Sequence, residues 1–336
     1  MSSADDRLIL QVENVSKSFP LKRNLLGRQS ELLQALAEVS LAVPEGQTLG
    51  IVGESGCGKT TLARLMVRLL SPDSGRILFH GRDLARLQGA ELRRTRTQLQ
   101  MVFQDPYSSL NPRMRVGEAI EEPLRVHKVV SPRDVERERE GLMERVGLHR
   151  RLAERLPREL SGGQRQRVSI ARALSVRPEV VIADEAVSSL DVSVRAQILN
   201  LLSDLRDHLA LTLIFISHDL SVVDHLSDRV AVMYLGRLVE LGPTAEVLSG
   251  GAHPYTRGLV AAIPQPVVGS QRKQAAIQGE LPSAIHPPSG CVIRTRCPLA
   301  QAICAEVTPP RVPVGAGHWA ACHFATAEVA PVLAEA

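Results

Sequence analysis

The stretch of sequence that decides the fold is Gly53-Glu54-Ser55-Gly56-Cys57-Gly58-Lys59-Thr60. It fits the pattern G-x-x-x-x-G-K-[ST], follows the apolar run 48–52, and precedes apolar residues at helical spacing. In such a turn the glycines let backbone N–H groups converge on phosphate oxygens, and the helix N-terminus adds a favourable partial charge. Lys59 is expected to reach the β- and γ-phosphates, and Thr60 to ligate Mg²⁺. The stretch, called here the phosphate loop (residues 53–60), predicts a nucleotide site on a strand–turn–helix unit.

Apolar strands that alternate with helical segments indicate the class of fold. Strand-like apolar runs lie at residues 8–12, 39–43, 48–52, 180–183, 213–216 and 229–233. This alternation predicts an α/β fold with a mainly parallel sheet. The polar, basic residues 22–30 predict a loop, and the charged residues from about 117 to 173 predict a mainly helical part. Within that part, residues 133–145 predict a solvated amphipathic helix.

Composition limits the possible functions. The 336 residues give room for about two domains, and 44% apolar residues are enough for a large core. The net charge of +4 is spread along the chain, and aromatic residues make up only 3%, which argues against a nucleic-acid-binding protein. No apolar run reaches the about 18 residues of a membrane span, and the polar start does not resemble a signal peptide. We therefore expect a cytosolic chain.

A second piece of nucleotide chemistry follows further along the chain. The residues Val180-Val181-Ile182-Ala183-Asp184-Glu185 predict a buried strand that ends in two acids. Asp184 is expected to hold Mg²⁺, directly or through water, and Glu185 to polarise the attacking water as general base. Two acids at a strand end are weak evidence alone, but together with the phosphate loop they predict hydrolysis of a nucleotide.

A second glycine-rich turn precedes a helix predicted at residues 165–174. The turn, Leu160-Ser161-Gly162-Gly163-Gln164, is called here the signature segment (residues 160–164). Ser161 can cap the helix, and the glycines expose its backbone N–H groups. One nucleotide does not need two phosphate-binding helix ends from the same chain. The simplest interpretation is that a second chain completes each site.

Taken together, the motifs resemble those of the ATP-binding subunits of ABC transporters. They occur in the order of that family: the phosphate loop, Gln104 in Val102-Phe103-Gln104-Asp105-Pro106, the signature segment, Asp184-Glu185, Ser189-Leu190-Asp191, and His218 in Ile216-Ser217-His218-Asp219. The resemblance covers about residues 7–250. It implies a P-loop ABC ATPase domain at 1–250, with a mixed sheet and a helical subdomain at about 117–173. It also implies that ATP contacts the Walker A residues Gly53, Glu54, Ser55, Gly56, Cys57, Gly58, Lys59, Thr60 and Thr61.

The same resemblance implies roles for single residues. Catalysis falls to Glu185, to Gln104, which would touch Mg²⁺ and the attacking water, and to His218, which would contact the γ-phosphate. The implied Mg²⁺ ligands are Thr60, Gln104 and Asp184. Phe19 matches the aromatic residue that stacks on adenine; the alternative is a core phenylalanine at a strand end.

The resemblance further implies a head-to-tail dimer with two ATP molecules between the subunits. Ser161, Gly163 and Gln164 would face the γ-phosphate bound by the opposite subunit, and Asp191 would cross the dimer interface. Hydrolysis would open the dimer and move membrane helices docked near Gln104.

One residue departs from the family pattern. Ala186 follows the catalytic glutamate where the family usually has a proline, which would stiffen the turn. The change removes no catalytic group, so we still expect hydrolysis.

Four cysteines near the C-terminus form a second group. Cys291, Cys297, Cys304 and Cys322 have the spacing C-x5-C-x6-C-x17-C, which lacks the close pairs usual in zinc sites. Four thiolates of a cytosolic chain can hold a [4Fe–4S] cluster. The spacing alone leaves the cluster, zinc and free structural thiols all open.

The tail also carries family motifs. These are His253-Pro254-Tyr255-Thr256, Gly279-Glu280-Leu281-Pro282-Ser283, Pro287-Pro288-Ser289-Gly290-Cys291 and Arg296-Cys297-Pro298. They resemble the C-terminal domain of oligopeptide/dipeptide importer ATP-binding subunits. The resemblance implies a linker and small loop-rich cysteine domain at 251–336, in which the four cysteines bind a [4Fe–4S] cluster of structural or sensing role. Motifs around Gln104 and Asp191 are similar to those of the F-type subunit.

This family implies partners and a location. The expected partners are a second, D-type ATPase subunit, two transmembrane permease subunits and an extracytoplasmic peptide-binding protein, with no nucleic acid. The expected location is the cytoplasmic face of a bacterial or archaeal membrane. The substrate stays open among dipeptides, oligopeptides, nickel complexes and glutathione. The alternative class, an ABC ATPase acting on DNA or the ribosome, would usually carry coiled-coil insertions or a second ATPase unit.

Overall fold

The computed structural model describes residues 7–23, 29–188, 190–263, 277 and 279–325. Its strands are β1 (Leu8–Arg23), β2 (Gln29–Pro44), β3 (Thr48–Val52), β4 (Ser74–Phe79), β5 (Arg82–Asp83), β6 (Leu99–Val102), β7 (Val180–Asp184), β8 (Thr212–Ser217), β9 (Arg229–Tyr234), β10 (Arg237–Pro243), β11 (Arg311–Gly315) and β12 (His318–Ala321). Its α-helices are α1 (Lys59–Met66), α2 (Gly89–Gln98), α3 (Pro106–Ser109), α4 (Val116–Val126), α5 (Val135–Arg145), α6 (Gly162–Leu174), α7 (Val192–Leu209), α8 (Leu220–Leu226), α9 (Thr244–Leu248), α10 (Pro254–Ala261) and α11 (Ile303–Glu306).

The larger sheet has the strand order β11-β12-β10-β9-β3-β8-β7-β6. The strands β9, β3, β8, β7 and β6 are parallel to one another, whereas β10 pairs antiparallel with β9, and β12 and β11 continue the antiparallel edge. All residues of β3, β7 and β8 are buried, which explains why these strands are continuous apolar runs without alternation. The α/β class with a mixed sheet, predicted from the sequence, is confirmed.

The smaller sheet is antiparallel, in the order β2-β1-β4-β5. Its apolar face shares a core with α1 and with β3 of the larger sheet. The prediction of a loop at residues 22–30 is wrong at both ends, because Lys22 pairs with Glu31 and Arg23 pairs with Gln29. The polar side chains hid this pairing, since a two-stranded ladder is held by backbone hydrogen bonds. Residues 24–28 of that stretch lie outside the described residues.

The helical part packs on the larger sheet at its β6 edge. Helix α6 contacts α4 and α5, and the three share one apolar core. In α5 the apolar residues Val135, Leu142 and Met143 are buried, most of the charged residues face outward, and the largely buried Arg139 pairs with Glu121 of α4. The predicted amphipathic helix is therefore confirmed. It begins at Val135 and not at residue 133, because residues 132–134 form a turn.

The tail is joined to the larger sheet rather than separated from it. Strand β12 pairs with β10, so β11 and β12 extend the sheet. The buried Glu240 carboxylate accepts a bond from the N–H of Ala252 (2.7 Å) and pairs with the His318 ring at 2.7 Å. The stretch expected as a linker and cysteine domain, residues 251–336, begins with α10, whose Tyr255 is fully buried. Its residues 264–276 and 278, like 326–336, lie outside the described part.

None of the helices in the described ranges is both long enough and apolar enough to cross a membrane.

Candidate active site

The phosphate loop connects β3 to α1 in a conformation that requires glycine. Gly53, Gly56 and Gly58 have φ angles of +154°, +80° and +105°. A Cβ at Gly53 would come within 2.2 Å of the Met233 carbonyl oxygen, and one at Gly58 within 2.4 Å of the Ala35 carbonyl oxygen. Neighbouring backbone therefore leaves no room for a side chain. Gly58 caps α1 without a side-chain hydrogen bond, so the first-turn N–H groups of α1 face the loop.

Lys59 is folded into the phosphate loop. Its side chain is buried (5% exposed), and its Nζ donates to the carbonyl oxygens of Gly53 (2.7 Å) and Glu54 (3.0 Å). The Cys57 sulfur lies 3.8 Å from the same Nζ, and burial raises the pKa of this thiol. The ammonium group is thus fixed by backbone carbonyl groups of the phosphate loop, at the place where a bound phosphate chain would lie.

Thr60 and Asp184 are brought together across the gap between α1 and β7. The Thr60 hydroxyl donates to Asp184 Oδ1 at 3.1 Å. Burial raises the pKa of the Asp184 carboxyl, while the bond from Thr60 lowers it. A hydroxyl and a carboxylate side by side are oxygen donors of the kind Mg²⁺ prefers. These two predicted Mg²⁺ ligands fit the ion by donor type and by their closeness.

The three predicted catalytic residues meet at the end of β7. The Glu185 carboxylate accepts a hydrogen bond from Gln104 Nε2 (2.8 Å) and lies 3.5 Å from His218 Nδ1. The side chain of Glu185 is 13% exposed, and its φ of +46° is in the left-handed region that disfavours non-glycine residues. Its N–H donates to the Ile216 carbonyl, which holds the strained turn. Ala186, in place of the usual proline, is buried directly behind it.

The signature segment is arranged as a capped helix start. The Ser161 hydroxyl accepts from the Gln164 N–H (3.3 Å), and the Gln164 side chain accepts from the Ser161 N–H (3.0 Å). A Cβ at Gly163 would come within 2.5 Å of Val194, because α6 and α7 cross closely there. The segment thus lies at the start of α6, on the helical part, and packs against the residues around the start of α7.

Two further predicted residues occupy exposed or half-exposed positions. Asp191 precedes α7 at its N-cap position and is exposed. Phe19 lies on β1 opposite Leu33, with Lys17 Nζ 5.6 Å from the centre of its ring. Both roles, at a dimer interface and against adenine, stay predictions. Ser189 of the same motif lies outside the described residues.

The four tail cysteines are free thiols, and all of them lie in the described part. Cys291, Cys304 and Cys322 are buried and Cys297 is half-buried. Burial, with a smaller contribution from the other three thiols, raises the pKa of Cys291 to about 11. Among the described residues, no three His, Cys, Asp or Glu side chains are grouped closely enough to bind a metal ion as they stand.

Sequence reasoning missed the residues that surround Glu54. Arg296, from the tail, donates to both carboxylate oxygens of Glu54, at 3.0 and 2.9 Å. Tyr255 of α10 accepts a hydrogen bond from the Glu54 N–H at 3.0 Å. Both residues stood in motifs used only to recognise the tail. In the sequence, only the opposite charges of Arg296 and Glu54 could have indicated this contact.

Comparisons with known proteins agree with this site. The family model described as ABC transporter matches residues 36–188, and that described as oligopeptide/dipeptide transporter, C-terminal region, matches residues 239–304. A solved dimeric ATP-binding cassette in a post-hydrolysis state, bound to ADP and Pi, has a TM-score of 0.63 and 28% identity. The match covers 70% of this chain and 98% of that one. The fold and the site thus define an ABC-type ATPase.

Two curated relatives narrow the family. The probable peptide ABC transporter ATP-binding protein y4tS of Sinorhizobium fredii is 49% identical, over 96% of this chain and 93% of its own length. The oligopeptide transport ATP-binding protein AppF of Bacillus subtilis is 47% identical, over 96% and 99%. The chain belongs to the oligopeptide/dipeptide family of ABC transporter ATP-binding subunits.

Proposed function

We propose that this chain hydrolyses ATP to power import of oligopeptides or dipeptides through a membrane transporter. The observation that carries the proposal is the Glu185 carboxylate, held between Gln104 and His218 beside the Thr60–Asp184 pair. The C-terminal match and the peptide-transport names of the relatives support the substrate class.

Binding of MgATP follows from the charges and donors of the phosphate loop. Lys59 and the first-turn N–H groups of α1 bind the phosphate oxygens. Thr60 and Asp184 would hold Mg²⁺, with Gln104 as a further ligand. When bound, Mg²⁺ neutralises charge that develops on the phosphate oxygens.

Hydrolysis falls to the cluster at the end of β7. Glu185 accepts the proton of the attacking water as that water approaches the γ-phosphate. Gln104 donates to Glu185 and so fixes the orientation of the carboxylate. His218, on the other side of Glu185, offers a ring nitrogen for a γ-phosphate oxygen. The left-handed turn at Glu185 aims the carboxylate without a proline at position 186.

We further propose that the site is shared with a second ATPase subunit. Ser161, Gly163 and Gln164 would contact the γ-phosphate bound by the partner, and Asp191 would lie in the interface. Support comes from the similar solved structure, which is a dimer. The F-type motifs favour a heterodimer with a D-type paralogue over a homodimer.

The remaining partners follow from membership in the family. Two transmembrane permease subunits would dock beside Gln104, where Phe103 and Tyr107 are 37% and 53% exposed. An extracytoplasmic binding protein would deliver the peptide. The chain would then lie on the cytoplasmic face of the membrane. Residues 1–250 would form the nucleotide-binding domain, with its helical subdomain at about 117–173, and residues 251–336 the linker and cysteine domain.

For the tail we propose a [4Fe–4S] cluster held by Cys291, Cys297, Cys304 and Cys322. The donors fit by type, because all four cysteines are free thiols. They would have to draw together around the cluster, since no three of them are grouped closely enough for a metal as they stand. Backbone N–H groups also face three of the sulfur atoms: those of Ile293, Leu299 and Phe324, each two residues after its cysteine. Such N–H···S bonds stabilise thiolate ligands.

The cluster is tested by metal content after anaerobic purification. Cys297→Ser is expected to lower bound iron and its visible absorption, whereas Cys57→Ser, a control in the phosphate loop, keeps both. Zinc in place of iron, or iron retained fully by Cys297→Ser, would contradict the proposal.

Transport is tested with the chain assembled with its own permease subunits in lipid vesicles. Wild type is expected to drive uptake of a labelled peptide with ATP, and Glu185→Gln to abolish it while still binding ATP. Glu13→Gln removes a half-buried carboxylate of β1 that is paired with Arg76, and serves as the control. Peptide-independent ATPase activity with no uptake would overturn the peptide-import function.

A further inference from the structure

The tail reaches the nucleotide site through one ion pair. Arg296 is only 9% exposed, and its guanidinium donates to both oxygens of Glu54, the second residue of the phosphate loop. The same nitrogen is 3.4 Å from the Tyr234 hydroxyl, and the guanidinium carbon is 5.8 Å from the centre of the Tyr234 ring. The arginine is therefore held on two sides, and its position is well defined.

Glu54 in turn is tied to the group that binds phosphate. Its carbonyl oxygen accepts from Lys59 Nζ at 3.0 Å, and its N–H donates to Tyr255 Oη. Tyr255 packs edge-on against Tyr234, with ring centres 4.8 Å apart. A continuous set of contacts thus runs from Arg296 through Glu54 to the Lys59 ammonium.

Electrostatics gives this contact a consequence for nucleotide binding. A carboxylate in a loop that binds phosphates repels the ligand unless a cation neutralises it. Here the neutralising cation is contributed by the tail, not by the domain that carries the loop. Arg296 also directly precedes Cys297, so the arrangement of the cysteines determines where the guanidinium lies.

We propose that Arg296 is a positioning residue for nucleotide binding, acting through Glu54 on the phosphate loop and Lys59. The inference rests on the ATPase function and goes beyond it, because it links the cysteine segment (residues 290–298) to nucleotide affinity. By linkage, a bound nucleotide stabilises the cysteine segment to the same degree that the segment strengthens nucleotide binding.

The first test is titration calorimetry of the full-length chain with MgADP, a ligand that is not turned over. Arg296→Gln is expected to weaken ADP binding about tenfold. The double variant Arg296→Gln/Glu54→Gln is expected to regain most of the affinity, because the unpaired carboxylate is gone. Arg296→Lys keeps the charge and is expected to bind nearly as wild type.

Arg294→Gln is the matched control. It lies two positions away in the same segment, and its guanidinium donates to the Ser289 carbonyl and hydroxyl. It is expected to leave ADP affinity unchanged. In steady-state ATPase assays, Arg296→Gln is expected to raise KM and leave kcat unchanged, since the arginine touches neither water nor γ-phosphate.

The second test is hydrogen exchange, and its first measurement uses the wild-type chain, so it does not depend on how a variant folds. Saturating MgADP is expected to slow amide hydrogen exchange in residues 290–298 of wild type. A second measurement, on Arg296→Gln, is expected to show a smaller effect of MgADP. The proposal is overturned if ADP leaves exchange in that segment unchanged in wild type. It is also overturned if Arg296→Gln binds as wild type, if Arg294→Gln loses as much affinity, or if the double variant stays as weak as Arg296→Gln.

Discussion

Two helices of this chain begin at glycine-rich turns, and they use their first-turn N–H groups differently. Helix α1 follows Gly58, which provides no side-chain cap, and Lys59 is drawn into the same turn. Helix α6 follows Ser161, which forms a reciprocal cap with Gln164. The first helix start leaves its N–H groups without a side-chain cap, as the proposed binding of phosphate by the same chain requires. The second satisfies two backbone N–H groups by its own cap and exposes Ser161, as the proposed contact with a nucleotide held by another subunit requires.

The largest expected effect is on turnover, and it comes from a residue that belongs to neither helix start. Glu185→Gln removes the proton acceptor, so ATP turnover is expected to fall at least about 100-fold. The new amide oxygen can still accept the hydrogen bond from Gln104. ATP affinity is expected to persist, because Lys59 and Thr60 are untouched. Steady-state turnover and equilibrium binding measure the two quantities, with Glu13→Gln as the control. Turnover near the wild-type rate would remove Glu185 from its assigned role.

Matched glycine substitutions compare the two turns directly. Gly58→Ala forces a Cβ to within 2.4 Å of backbone at a φ of +105°, and about 1–3 kcal/mol of strain is expected. ADP binding should therefore be lost. Gly163→Ala meets only a Val194 side chain. It is expected to retain ADP binding and to lose ATP-dependent association with the second subunit.

Calorimetry with MgADP and sedimentation with MgATP distinguish the two glycine variants. If Gly163→Ala weakened ADP binding as much as Gly58→Ala, the signature segment would belong to the site of its own chain, and the comparison would fail.

The smallest expected effect concerns the cap of α6. Ser161→Ala removes the acceptor for the Gln164 N–H and is expected to lower the free energy of unfolding by about 1 kcal/mol. Ser161→Asn keeps a capping group and is expected to restore it. Denaturant unfolding measures both variants. Equal stability of Ser161→Ala and wild type would show that the cap contributes nothing in the isolated chain.

The core of the site could be predicted because each motif fixes its own local geometry. The apolar run before Gly53 and the run before Asp184 are both strands in the parallel part of one sheet, so their ends meet at one edge. Gln104 and His218 follow β6 and β8, the two strands that flank β7, which places them on either side of Glu185.

Other features could not be predicted, because no local sequence pattern indicates them. The pairing of β12 with β10 and the contact of Arg296 with Glu54 join distant parts of the chain; the latter pair is separated by 242 positions. The ends of β1 and β2 were hidden for another reason, because polar residues such as Lys22 and Glu31 continue a backbone ladder without apolar alternation.

The central claim is that each ATP site joins the phosphate loop of one chain to the signature segment of another. A cross-link in the assembled transporter tests this claim most directly. A diazirine-bearing lysine analogue replaces the exposed Arg158, just before the signature segment, in the Glu185→Gln background. With MgATP, the account predicts ATP-dependent cross-links to the phosphate-loop side of the second ATPase subunit. Cross-links to residues 53–60 of the same chain, or cross-links that do not change with ATP, would contradict it.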